Sequence, residues 1–212
     1  MERFVLLHFL TFSAINNPHP MNKLICITGL PGSGKSIASD FFVKKGFQFL
    51  RFGQITFEEL ERRKLPVNEK NERMVREGFR KKYGMAAYAI LNLSKFKKFL
   101  RKGNVIGDGL YSFEEYKVLK KEFGKKLITI AVYSPPEVRY ERLMKRKLEK
   151  HDKSIRFRPF SRKEAESRDL AELENLNKGA TIALSDYTIL NTGSKKNFTN
   201  QISQIFKSLN RP

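Results

Sequence analysis

The residues best equipped for chemistry are the run Gly29-Leu30-Pro31-Gly32-Ser33-Gly34-Lys35-Ser36. Its pattern, G-x-x-x-x-G-K-[ST], has a mechanical rationale. Glycines let the chain curl until successive backbone N–H groups point inward at phosphate oxygens. A helix starting directly afterwards turns its positive end toward the same anion. Lys35 then reaches the β- and γ-phosphates and the Ser36 hydroxyl holds Mg2+, with loop contacts running on to Ile37. The alternative, a Gly/Ser turn with a surface lysine, does not call for a strand before it and a helix after it. Both are expected here. Leu24, Ile25, Cys26 and Ile27 form the continuous apolar run of a strand buried on both faces. Ile37, Ala38, Phe41 and Phe42 recur at helical spacing, and Gly46 is placed to end that helix. The chain is expected to bind a nucleoside triphosphate, ATP with Mg2+.

Other chemistries lack their residues. Of the three histidines, His8 and His19 precede the first expected strand and His151 lies in a polar, basic stretch. No Cys/His cluster has metal-site spacing and no histidine suits a Ser-His-Asp arrangement. Phosphoryl transfer needs neither, because it rests on positioning and on neutralisation by Mg2+, Lys and Arg.

The chain has 212 residues, room for one domain with inserted lobes and a substantial core. The single cysteine, Cys26, cannot form an internal disulfide, which fits a small core residue and a reducing, cytoplasmic setting. The net charge of +20 is spread along the chain and attracts anions: nucleotides, phosphate-bearing small molecules or nucleic acid. No aromatic-interleaved RNA motif accompanies it. The segment "FVLLHFLTFSAI" near the start is too short to span a bilayer, so no membrane association is expected. Met21 stands directly before the first strand, and residues 1–20 read as an extension upstream of it. No heptad pattern speaks to oligomeric state.

Strands are expected at 23–28, 46–52, 104–109, 125–134 and 186–191, with helical segments between them. Residues 54–101 read as a long basic helical excursion broken at "KLPVNEK" and Gly84. A helix is expected over 111–123, another after Pro135-Pro136, and one running to about Gly179. The last helix carries Phe198, Ile202, Ile205 and Leu209 as a packing stripe. This alternation predicts an α/β, three-layer α/β/α architecture of the P-loop NTPase kind, with a five-stranded parallel sheet and ligands at the carboxyl ends of the strands. The phosphate loop, Asp108 and the basic segment 147–163 all fall at that edge. Asp108-Gly109 is also a common turn pair, and Arg142 and Arg146, one turn apart, could equally form a solvated helix face.

In order along 21–193, the pieces "ITGLPGSGKS", "GFQFLRFGQ", "FRKKYGMAAYA", "VIGDGLYSFEEYKVLKKEFG", "ERLMKR", "SRDLAELENLNKG" and "ALSDYTILNTG" resemble the nucleoside-monophosphate-kinase-like P-loop proteins, in particular dephospho-CoA kinases and their archaeal and bacterial relatives. The resemblance implies an acceptor-binding lobe at about 53–102 and a basic lid at about 147–166. It implies that Asp108 lies near Mg2+ and the acceptor, which it would orient or deprotonate as a catalytic residue beside Lys35 and Arg168. Arg142 and Arg146 would open the lid and touch nucleotide phosphates, and Arg168 would point at the transferring phosphate. Arg80, Gln54 and Tyr111 fall at acceptor positions, and Asn191 and Gly193 where the last loop meets the adenine. Two positions depart from the pattern. Gly53-Gln54 stands where Gly-Asp is usual, and Tyr111 where an arginine is usual.

The expected function is transfer of the γ-phosphoryl of Mg-ATP to a nucleotide-like small molecule, dephospho-CoA or a nucleoside monophosphate. The alternative is a P-loop ATPase that binds nucleic acid or a protein partner, motivated by the charge and the two departures.

Overall fold

In a computed structural model the structure is described for residues 22–147 and 159–209. The N-terminal extension, Met21, His151 and residues 148–158 of the expected lid lie outside that range. Five strands are present among the described residues: β1 (Leu24–Thr28), β2 (Gln48–Arg51), β3 (Val105–Asp108), β4 (Leu127–Tyr133) and β5 (Tyr187–Leu190). They form one parallel sheet in the order β2-β3-β1-β4-β5. Every parallel neighbour demands a crossover, and helices supply it. These are α1 (Lys35–Lys44), α2 (Gln54–Arg62), α3 (Glu69–Tyr83), α4 (Ala87–Leu100), α5 (Phe113–Phe123), α6 (Pro136–Met144), α7 (Arg162–Glu174), α8 (Lys178–Ala183) and α9 (Lys195–Leu209).

Two-residue periodicity sorts the central strand between two cores. Leu24 and Cys26 join Phe52, Phe96, Leu119 and Phe123 on the side of α4 and α5. Ile25 and Ile27 join Phe42, Phe198 and Ile202 on the side of α1 and α9. All five residues of β1 are buried, as its unbroken apolar run required. Register then places the edge chemistry: Ile27 pairs with Asp108 across β1 and β3, and Arg51 pairs with Asp108 across β2 and β3.

The strands are one to three residues shorter than expected, and two differences among the helices have local causes. The helix expected from Tyr111 starts at Phe113, because Ser112 caps it. The Ser112 hydroxyl accepts from the Glu115 N–H at 3.1 Å, while the Glu115 carboxylate accepts from the Ser112 N–H. The single helix expected to run to Gly179 is two helices, α7 and α8. Asn177 separates them with φ 46°, a left-handed conformation that asparagine tolerates. That break turns Lys178 back toward α7. No helix among the described residues is long and apolar enough to cross a membrane.

Phe96 fastens the helical excursion to the sheet, fully buried with its ring 5.3 Å from that of Phe52. Phe96→Ala is expected to cost about 3–5 kcal/mol, read as a lower denaturant midpoint at unchanged slope.

Candidate active site

The phosphate loop leaves β1 at Thr28 and enters α1 at Lys35. Gly32 and Gly34 take φ 78° and 106°, and each is pressed against a neighbour. A Cβ on Gly32 would lie 2.6 Å from the Arg139 carbonyl oxygen, and one on Gly34 would lie 2.4 Å from the Asn191 side-chain nitrogen. Only glycine meets both demands. Among the described residues no side chain caps the N-terminus of α1, the end of a helix that attracts anions. Lys35 Nζ donates to the Gly29 and Leu30 carbonyls at 2.6 and 2.9 Å, folding the ammonium across the loop. Burial pushes its pKa down to about 7; Lys178 and Arg146 act in the same direction, against Glu172 and Asp108.

Behind the loop stands a polar brace. Asn191 Nδ2 donates to the Ser33 carbonyl at 2.8 Å. Arg142 donates to Ser134 Oγ at 2.9 Å, to the Asn191 carbonyl at 3.0 Å and to the Gly32 carbonyl at 3.5 Å. Arg139 donates to the Pro31 carbonyl at 3.1 Å while gripping the Asp169 carboxylate with two nitrogens, at 2.8 and 2.5 Å. Arg139 and Asp169 are both buried, so α6 and α7 are locked to each other and to the loop.

Two adjoining chambers open in front of the loop. The first, about 340 Å3, gathers Lys35, Ser36, Asp108, Arg146, Arg168 and Glu172, with Pro31, Gly32, Gly34, Ile37, Tyr111 and Arg142 also on its wall. The second, about 890 Å3, lies under α2 and α3 and holds Arg80, Tyr88 and Lys163. Arg51, Phe57, Glu72, Tyr111, Phe160, Arg168 and Glu172 line both. Asp108 is buried at the end of β3, and its Oδ1 accepts from Ser39 Oγ at 3.0 Å. Arg168 lies over the Phe160 ring at 4.8 Å, and Arg80 over the Tyr88 ring at 6.0 Å. Burial pushes the Tyr111 phenol up to about 12, which keeps it neutral.

Of the residues singled out in the sequence, the loop, Asp108, Tyr111, Arg142, Arg146 and Arg168 converge, and Arg80 lines the adjoining chamber. Within the loop, Gly29 and Leu30 supply the carbonyls that hold Lys35, and Ser33 is buried beneath it. Three expected residues are placed elsewhere. Asn191 is buried behind the loop, Gly193 is exposed past β5, and Gln54 is exposed at the start of α2; none lines either chamber. The sequence reading missed Arg51, Arg139, Glu172 and Lys178. Arg139 and Arg142 lie one turn apart on α6, past whose end Arg146 falls, and Glu172 lies one turn beyond Arg168, so spacing could have found both. Lys178 had no local signal, because its position depends on the break at Asn177.

A hydroxyl from Ser36 and a carboxylate from Asp108 give the first chamber hard oxygen donors suited to Mg2+. Among the described residues no cluster of three metal-binding His, Cys, Asp or Glu side chains is present.

Residues 25–172 match the family model described as an AAA domain. A UPF0200 protein of Thermococcus gammatolerans is 34% identical over 194 residues, covering 89% of this chain and 98% of the relative. The UPF0200 protein MMP1282 of Methanococcus maripaludis is 33% identical, covering 88% and 97%. The chain is an AAA-domain protein of the UPF0200 family. Among solved structures, shikimate kinase from Acinetobacter baumannii in complex with shikimate has a TM-score of 0.56 at 17% identity, covering 91% of this chain and 97% of that one. TT1252 from Thermus thermophilus has a TM-score of 0.54 at 17% identity, covering 90% and 99%. At such identities the likeness is one of fold, a P-loop kinase-like fold. This UPF0200 member therefore resembles P-loop kinases at that coarser level, and the narrower dephospho-CoA kinase likeness is a matter of proposal.

Two expectations follow from the site. Polyphosphate beside Lys35 restores its charge, and its pKa of about 7 in the free protein lies below the ordinary lysine value. Nucleotide binding at pH 8 should therefore be accompanied by proton uptake, fading as pH falls below the free-protein pKa, as titration calorimetry in buffers of different ionisation enthalpy would read. Arg139→Met, which leaves Asp169 buried without its guanidinium, should cost about 3–5 kcal/mol in denaturant unfolding and weaken nucleotide binding.

Proposed function

We propose that this chain transfers the γ-phosphoryl of Mg-ATP to a phosphate-bearing, nucleotide-like small molecule, with dephospho-CoA and nucleoside monophosphates as the acceptors to try first. The observation that carries the reading is the pair of adjoining chambers with a shared wall, one beneath the phosphate loop and one beneath α2 and α3. Two substrates held there would meet at that wall.

In this reading the loop N–H groups and the N-terminus of α1 hold the polyphosphate, and Lys35 swings from the loop carbonyls to the β- and γ-phosphates. Ser36 and Asp108 would hold Mg2+, which supplies charge neutralisation when bound. Arg146 and Arg168 place guanidinium charge where negative charge spreads over the transferring group, and Arg142 holds the loop's carbonyls. The helices α2–α4 serve as the acceptor lobe, with Arg80 on its wall. Arg146 and Arg168, which flank the expected lid of about 147–166, both line the site. Gln54 carries no acceptor contact, and Asn191 contributes by supporting Ser33.

The test is ADP formation with and without each acceptor. One acceptor should raise turnover at least roughly tenfold above water, and Lys35→Met should lower it by about 10^3-fold. Gln54→Ala should stay within about twofold, as surface substitutions do. ADP formation indifferent to every acceptor would overturn the reading. Stimulation by RNA, falling steeply with salt, would favour the nucleic-acid alternative instead.

A further inference from the structure

The boundary between the two chambers is where a transferred group must cross. Its ionisable side chains are Arg51, Glu72, Tyr111, Arg168 and Glu172. Tyr111 stays neutral, and Glu72 accepts from Arg76 Nη1 at 3.3 Å, within a cluster that also ties Arg76 to Glu69. Glu172 is different. Its Oε2 is held at 2.5 Å by Nζ of Lys178, a lysine with no exposed surface whose ammonium lies 5.1 Å from the centre of the Tyr111 ring. The Glu172 side chain keeps 12% exposure and lines both chambers. A buried ion pair is an inefficient fastener, since apolar side chains of similar volume commonly do as well or better. Burial pushes the Glu172 carboxyl up, but Lys178, Lys35 and Arg168 outweigh it and hold it below its ordinary value. An anionic oxygen thus faces the crossing point from α7.

We propose that Glu172 is the catalytic residue that takes the proton from a hydroxyl of the acceptor, with Lys178 the positioning residue that holds its carboxylate there, so that the acceptor is an alcohol bearing its own anion. The inference rests on the phosphotransfer reading above and narrows it. As the acceptor oxygen forms its bond to the γ-phosphorus, its proton passes to the free carboxylate oxygen of Glu172. The bond from that phosphorus to the β,γ-bridging oxygen breaks, and ADP leaves with the electron pair. A phosphate acceptor suits the place poorly. Its attacking oxygen is already anionic near neutral pH and would be repelled by a carboxylate in a setting of low dielectric. The acceptor's own anion belongs in the larger chamber, which Arg80 and Lys163 line.

The experiment uses the full chain with Mg-ATP and the acceptor panel, reading kcat, KM and the 31P NMR spectrum of the product. A phosphomonoester is expected. Glu172→Gln should lower kcat by at least about 100-fold while KM for ATP moves less than about threefold, the signature of a lost general base. Lys178→Arg should retain more activity than Lys178→Met. The charge-free double variant Glu172→Gln/Lys178→Met guards against misfolding, because removing both partners together is commonly tolerated. It should melt near the parent, bind a non-hydrolysable ATP analogue, and still fail to transfer. A purely structural pair would instead have its activity restored in the double variant. The inference is overturned if the product is a phosphoanhydride, or if either variant transfers within about threefold of the parent. A parent that transfers to nothing overturns the phosphotransfer reading and this inference with it; a competent parent with a competent Glu172→Gln variant overturns this inference alone.

Discussion

A polyphosphate gripped by backbone requires N–H groups that converge, and convergence requires the loop to hold a conformation that ordinary residues resist. Gly32 and Gly34 make that conformation accessible, but accessibility is not rigidity. Rigidity comes from what presses on them: the Arg139 backbone on one side and the Asn191 side chain on the other. Those contacts are in turn held by the Arg139–Asp169 pair and by Arg142 bridging Ser134, Asn191 and the loop. The cup depends on groups distant in sequence, and α6, α7 and the end of β5 are its outer wall.

The same dependence shapes the electrostatics. A chain with a net charge of +20 would be expected to present a purely cationic site to ATP. It does not. Asp108, Glu72 and Glu172 share the first chamber with Lys35, Arg51, Arg142, Arg146, Arg168 and Lys178. Acidic side chains placed among so many basic ones temper the mutual repulsion of the cations. Lys35 records that balance. Burial and neighbouring cations depress it, two carboxylates partly restore it, and loop carbonyls hold its ammonium meanwhile.

The reading of β1, the loop and α1 succeeded because each signal there is local. An unbroken apolar run, glycines at fixed offsets and a 3.6-residue stripe need no knowledge of the rest of the chain. The parallel sheet and the position of Asp108 beside the loop followed from the alternation of elements, since parallel strands send their carboxyl ends to one edge, whereas the strand order did not. Elsewhere a residue's neighbours decide its position. Asn191 lies at the right edge yet turns its amide to Ser33. Gln54 begins α2 at the rim yet points to solvent.

By itself, then, the sequence determined the nucleotide-gripping loop, the five strands and the two apolar faces of β1, because these are written in contiguous residues and fixed periods. Only the tertiary structure decided which charges meet. Arg139 finds Asp169 thirty positions away, and Lys178 reaches Glu172 only because the chain reverses at Asn177. Pairing of that kind depends on distances between packed helices, and no local spacing encodes them.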